Sequence, residues 1–338
     1  DLADRVYSIG TPYNWLFAQS LEKTQNGTID PSMTFTSETI SEELGITSVW
    51  DYELGKIYVI NPSTSKNAVL IDTAMGGYGE ADLYGYLLEN GLVSKEQTID
   101  VVLTHNHGDH ILGLPSLAAS GKLGELYIHE LDAPAVVTAD YIDLNNVTYI
   151  KDGDTIPTGG GELEVFEVPG HTQGSVVFFY GDDYIFTGDA IGSGDVWMTA
   201  TSVEEYLPYV QRFAAEVNAR EAAGADYTIL TGHAENYAPF TSEYLNNMVK
   251  CAEGTVNGTI TPGVYTRRDG NYATFGNANI YFNDATTNAV MNAQVETTGQ
   301  KVVSIELTFG SAAEAQAAAK GSFTVTANRS AVTAELSD

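Results

Sequence analysis

Basic residues are scarce in this chain. Fifteen Lys and Arg stand against 45 Asp and Glu, a formal net charge of −30 over 338 residues. A field of that sign repels nucleic acid and anionic membrane, which weighs against a nuclease and predicts no nucleic-acid partner. Cysteine is nearly absent. The single Cys251 excludes an intrachain disulfide framework, and it falls in the apolar pattern of an expected helix, where it reads as core. No apolar run approaches the length of a membrane span, and no signal peptide is visible. The chain opens at Asp1, as a processed or trimmed product would. Low Lys, few sulfur residues and abundant Thr, Asn, Gly and Tyr are the composition expected of an exported bacterial protein, secreted or at the cell surface. A cytoplasmic location is the alternative. The 43% apolar content permits a real core, and the length suits one large domain plus something small.

Histidine is scarce as well, with six in the chain, yet three of them crowd into Thr104-His105-Asn106-His107-Gly108-Asp109-His110. Upstream, Ile99-Asp100-Val101-Val102-Leu103 has strand character, so the cluster sits on the loop leaving a buried strand. Such loops in α/β layers are where ligands usually bind. Imidazole and carboxylate suit Zn²⁺ and other borderline first-row ions. The i, i+2 spacing of His105 and His107 lets two rings converge on one ion. Asp109 and His110 can then face a second.

Two more segments deliver ligand-type residues from strands. Val168-Pro169-Gly170-His171-Thr172-Gln173-Gly174-Ser175 leads into an apolar run, and Tyr184-Ile185-Phe186-Thr187-Gly188-Asp189 ends in an acid. Tyr227-Thr228-Ile229-Leu230-Thr231-Gly232-His233 ends in a histidine. With His-x-His-x-Asp-His, Gly-His-Thr-x-Gly-Ser, Thr-Gly-Asp and a late Gly-His in this order, the sequence resembles the metallo-β-lactamase-fold hydrolase superfamily over roughly residues 45–255.

The resemblance implies an α/β (α+β) fold, a four-layer αββα sandwich. It implies that His105, His107 and His171 hold one metal, that Asp109, His110 and His233 hold a second, and that Asp189 bridges them. Two Zn²⁺ are expected, with Fe or Mn as the alternative. A hydroxide shared by the ions is the implied nucleophile, since zinc lowers the pKa of its water to about 7. Asp109 and Asp189 are the implied catalytic acids that orient it and handle its proton. Asp72, closing an earlier strand, is expected to support the metal loop without ligating. His129 is expected to be structural or exposed. Gly108, Gly170, Gly174, Gly188 and Gly232 are expected at tight backbone passages.

Asp189 stands where some β-lactamase branches carry a Cys ligand, and Cys251 matches no such motif. The pattern looks closer to glyoxalase II-like thioesterases and to lactonases. The expected function is therefore hydrolysis of an ester, lactone, thioester or amide of a small molecule. β-Lactamase or phosphodiesterase activity on the same site is an alternative, and so is a non-enzymatic secreted metal-bearing binding module. One equivalent of iron would point to the sulfur dioxygenase branch. Flavodiiron carriers replace one histidine of the first motif by Glu, which this sequence does not. Trp50 and Trp197 are candidate substrate contacts, with packing as their other reading. The loop 191–198 is the expected substrate wall.

The rest of the chain reads as supporting structure. Lys56 to Thr73 reads as a hairpin and residues 80–90 as a helix stopped by Gly91. A short helix and strand are expected between Leu117 and Ile128, and a strand over Val147–Ile150. Ser202-x-x-Glu205 is a capping box opening a helix ended near Gly224, and 241–253 is a last helix. Residues 4–9 could be a first strand, with Tyr13, Trp15 and Phe17 beyond it. After Gly254 strands dominate: 272–275 and 279–282 as a closing hairpin, then a small β-rich extension over 286–338 with a helix at 312–319. The hydrolase domain is placed at 1–285. Sequence sets no oligomeric state.

Overall fold

Ile57-Tyr58-Val59-Ile60 and Ala68-Val69-Leu70-Ile71 are unbroken apolar runs, as strands buried on both faces require. In the computed structural model they form β3 (Lys56–Ile60) and β4 (Asn67–Ile71), an antiparallel hairpin. The structure describes residues 35–51, 55–62, 65–74, 82–233, 240–265 and 270–282, together with the backbone of four later strands. The expected first strand at 4–9, the aromatics Tyr13, Trp15 and Phe17, and the expected helix at 312–319 lie outside the described residues.

β1 (Phe35–Ser41), β2 (Ile46–Asp51), β3, β4, β5 (Thr98–Val102), β6 (Leu123–His129) and β7 (Val147–Ile150) form one sheet in sequence order. Strands β4 to β7 run parallel. The second sheet contains β8 (Thr155–Pro157), β9 (Glu162–Glu167), β10 (Val176–Tyr180) and β11 (Tyr184–Gly188). After β12 (Asp195–Trp197), the strand β13 (Thr228–Thr231) completes it, in the order β13-β11-β10-β9-β8.

Period-two alternation sorts these side chains into three cores. Tyr58, Ile60, Val69 and Ile71 join Val176, Phe178, Phe186 and Leu230 between the two sheets. Ile57, Val59, Ala68 and Leu70 face the other way, onto α1 (Leu83–Glu89) and α3 (Leu114–Ala119), with α2 (Gly108–Ile111) between those helices in the chain. Val177, Phe179, Ile185 and Ile229 pack against α4 (Val203–Ala223) and α5 (Ser242–Val256). The result is the αββα sandwich that the motifs imply.

The capping box is formed: Ser202 Oγ accepts from Glu205 N, and Glu205 Oε2 accepts from Ser202 N. Cys251 is fully buried in the core between the second sheet and its helices. Helix α3 starts earlier than the expected position, because Pro115 opens its first turn, and β6 begins at Leu123. A third sheet runs β12-β16-β15-β14, with β14 at Gly263–Tyr265, β15 at Gly270–Phe275 and β16 at Ala278–Phe282. Its Val196, Ala273 and Ile280 join the core around α5.

Chain contacts divide the molecule into 1–282 and 283–338. The second unit holds two antiparallel hairpins. One pairs β17 (Asn292–Thr298) with β18 (Lys301–Thr308), the other β19 (Phe323–Ala327) with β20 (Ser330–Ala334). Among the described residues no helix is long and apolar enough to cross a membrane.

Candidate metal centre

Three strands of the sandwich end at one place. Leu103 to His107 follow β5, Asp189 follows β11, and Gly232-His233 follow β13. The turn 171–175 enters β10 beside them, since Val176 N donates to Thr104 O at 3.0 Å. Gathering the carboxyl ends of neighbouring strands brings together side chains that are far apart in sequence.

The site has two halves. His105, His107 and His171 form one group, and Asp109, His110, Asp189 and His233 form the other; within each, the ligand atoms lie within 4.8 Å of one another. His107 Nδ1 is 2.7 Å from His171 Nε2. Asp189 spans the halves, with Oδ2 3.5 Å from His171 Nε2 and 3.2 Å from His233 Nε2, and Oδ1 3.5 Å from His110 Nε2. Asp109 Oδ2 is 3.6 Å from His233 Nε2. Asp109 and His110 sit not on an open loop but on the helical turn α2, which starts directly after His107.

The outer atoms of the rings are committed, which fixes the inner ones. His171 Nδ1 bonds the carbonyl of Trp197 at 2.8 Å. His110 Nδ1 bonds Asp72 Oδ2 at 2.8 Å. His105 Nδ1 bonds Thr104 Oγ1, which itself donates to Asp72 Oδ2 at 2.7 Å. With Nδ1 of His105 and His171 donating, Nε2 is the acceptor in each ring, and that of His171 faces His107 Nδ1. Asp72 takes up this role from a left-handed backbone, φ 61°, a conformation that costs a non-glycine residue roughly 1–3 kcal/mol. Asp72 thus bonds the His110 ring directly and reaches His105 through Thr104, and the ligand-type atoms of Asp72, His105 and His110 form a third cluster within 4.8 Å of one another.

Burial, then the neighbouring rings, holds the His105 imidazole well below the usual histidine range. Burial also brings His171 down to about 4, Asp189 opposing the fall. His107 is lowered for the same reason. His110 moves the other way: burial disfavours its charge, but Asp189 and Asp72 outweigh that and raise it well above the usual range. Asp189 lies well below the usual carboxylate range, because His233 and His110 outweigh its burial. Burial thus favours neutral imidazole in the first half, the form that ligates metal, whereas in the second half Asp189 and Asp72 favour the charged form of His110.

His105 Nε2, His110 Nε2 and Asp189 Oδ1 are buried and have no hydrogen-bond partner among the described residues. Buried, unmatched ring-nitrogen and carboxylate atoms set among imidazoles and carboxylates fit divalent cations of the borderline class.

A family model described as the metallo-beta-lactamase superfamily matches residues 51–235, more than half of the 338-residue chain. The chain belongs to that superfamily. Members of the metallo-beta-lactamase superfamily bind divalent metals, and the His/Asp clusters here have the donor set for it. A hydroxyacylglutathione hydrolase of Aeromonas hydrophila is 36% identical over 93 residues, 28% of this chain and 33% of that protein. One from Bdellovibrio bacteriovorus is 26% identical over 136 residues, 40% and 48% of the two chains. The chain thus spans about a third to a half of the length of these curated relatives. Among solved structures, a metallo-beta-lactamase from Pontibacter korlensis is 21% identical, with a TM-score of 0.48 over 65% of this chain and 99% of that one.

The other sequence candidates fall further out. Trp197 is half-buried on β12; its ring stacks on Tyr281 at 4.3 Å and its Nε1 donates to Asp195. Its backbone carbonyl, which sequence reasoning did not single out, is what holds His171. Trp50 is half-buried on β2, in register with Lys56, whose N donates to Gly232 O at 2.8 Å. Much of the expected wall 191–198 turns inward: Ile191, Val196 and Met198 are core residues, because β12 joins the third sheet. His129 is buried and bonds Glu167 Oε1 at 3.2 Å, a structural role. Gly232 does mark a tight passage, since a Cβ there would lie 2.4 Å from Asp189 Oδ1; Gly108 does not, its nearest neighbour being Leu112 at 3.5 Å.

Proposed function

We propose that this chain is a dinuclear zinc hydrolase that cleaves an ester, lactone, thioester or amide bond of a small molecule. The observation that carries the reading is the set of buried, unpartnered atoms His105 Nε2, His110 Nε2 and Asp189 Oδ1. A buried polar atom left unmatched costs roughly 1–3 kcal/mol, and the two bound ions would remove that cost. His105, His107 and His171 would hold one ion. Asp109, His110 and His233 would hold the other, and Asp189 both.

When bound, the ion pair supplies Lewis-acid polarisation of the scissile carbonyl and acidification of an attacking water. The rest is the work of the chain. Asp72 and Trp197 O fix the ring tautomers so that Nε2 of His105, His110 and His171 faces inward. Asp189, low in pKa, stays ionised and contributes fixed negative charge between the halves. Asp109 has a side chain 39% exposed, against 14% for Asp189, and so is the carboxylate that solvent and substrate reach. It is the group placed to accept the attacking water's proton and pass it to the leaving group.

Two relatives bear the name hydroxyacylglutathione hydrolase, so thioesters head the substrate panel. The test is elemental analysis of protein purified without added metal, with a thioester, lactone, β-lactam and aryl phosphodiester assayed on the same sample. About two equivalents of zinc with turnover of one member supports the reading, and the panel names the bond. No metal and no turnover after reconstitution would sink it.

A further inference from the structure

Asp132 lies three residues beyond the end of β6, and its N donates to His129 O at 3.0 Å. It is 2% exposed, and both of its oxygens are occupied. Oδ2 accepts from Asn106 N at 3.1 Å and from Thr172 Oγ1 at 2.6 Å. Oδ1 accepts from Gly174 N at 2.9 Å. Its carbonyl also accepts from Asn106 Nδ2 at 3.3 Å. Asn106 separates His105 from His107, and Thr172 follows His171. One buried carboxylate therefore ties together the two loops that carry the three-histidine half. The fit is close on the third side too, because a Cβ on Gly174 would lie 2.6 Å from Asp132 Cγ.

We propose that Asp132 is a positioning residue for the His105/His107/His171 half alone: it sets the distance between loops 104–107 and 171–175. The inference rests on the metal-binding reading above. The division of labour with Asp72 carries it. Asp72 bonds Thr104 and His110, whereas every side-chain oxygen contact of Asp132 falls on a loop delivering His105, His107 or His171. A carboxylate that accepts three donors at one point holds them more tightly than a neutral side chain would.

The test uses the full chain, labelled with ¹⁵N-histidine, stripped with a chelator and titrated with Zn²⁺. Six histidines give a resolvable ring-nitrogen spectrum. His105, His107 and His171 report one half, His110 and His233 the other, and His129 is an internal reference. For Asp132→Ala the Zn²⁺ concentration that half-shifts the first three signals rises about 10- to 100-fold, the usual range for outer partners of ligands. The His110 and His233 signals titrate as in the parent protein. Thr172→Val removes one arm and gives a smaller loss confined to the same three signals; it carries the test if Asp132→Ala does not fold. Equal weakening of both halves, or none, overturns the inference and leaves Asp132 a packing residue. A parent protein whose site histidines do not respond to Zn²⁺ overturns the proposed function itself.

Discussion

The two halves of the site are built from the same fold edge but with opposite electrostatics. The His105/His107/His171 half is all imidazole, and burial keeps its rings neutral. The other half pairs His110 and His233 with Asp109 and Asp189, and there Asp189, together with Asp72 behind the ring, outweighs burial and raises His110. An all-imidazole half has no opposite charges to draw its side chains together, whereas in the other half carboxylates attract histidines. The outer supports follow the same division, with Asp132 controlling loop spacing and Asp72 orienting His110.

Asp189→Ala tests the comparison most severely, since Asp189 is the side chain that reaches both halves. Removing it takes away the carboxylate that lies 3.5 Å from His110 Nε2 and 3.2 Å from His233 Nε2. We expect metal content to fall below one equivalent and turnover to fall more than about 100-fold, beyond the range for outer supports. Elemental analysis and the same assay panel check this. Retention of both ions would mean that the halves are independent after all.

Asp72→Ala should act on one side. It strips the partner from His110 Nδ1 and from Thr104, so affinity in the His110/His233 half falls about 10- to 100-fold. The three-histidine half feels it only through Thr104 and His105. Stepwise competition with a chromophoric chelator separates the two affinities, and a uniform loss would erase the asymmetry.

Much of this arrangement was legible before the fold was known, because each ligand closes a strand or opens a loop and leaves a short motif: His105 to His110, Gly170-His171, Gly188-Asp189, Gly232-His233. The alternating apolar runs likewise marked the strands of both sheets. The supports were less legible for a physical reason. Asp132 is a lone acid after a strand, and only the fold brings Asn106, Thr172 and Gly174 to it. The Trp197 carbonyl is a backbone atom that any residue offers. The wall loop was misjudged because its apolar residues read the same whether they line a pocket or join a third sheet.

Changes away from the site should leave both halves alone. Ser202→Ala removes the Oγ that accepts from Glu205 N at the start of α4. The loss is about 1 kcal/mol, a thermal midpoint lower by about 1–2 °C. Metal stoichiometry and turnover stay as they were. A change in either would mean that α4, which packs behind β10 and β11, transmits strain to Asp189.

Cys251 gives the smallest effect and the sharpest contrast with the site. Both places bury polar atoms, but the histidine nitrogens face one another, whereas the Cys251 thiol is surrounded by core residues. Burial pushes that thiol up to about 12. Only the thiolate attacks, and at pH 8 a group of that acidity is ionised in about one molecule in 10⁴. The native protein should therefore not react with an aromatic disulfide reagent over minutes, while guanidinium releases one equivalent at once. Adding or removing zinc should not change this, since Cys251 belongs to neither half. Fast labelling of the native chain would mean that the core around α5 opens. Labelling that zinc suppresses would couple that opening to the site, and the separation between a metal-held edge and a self-sufficient core would fail.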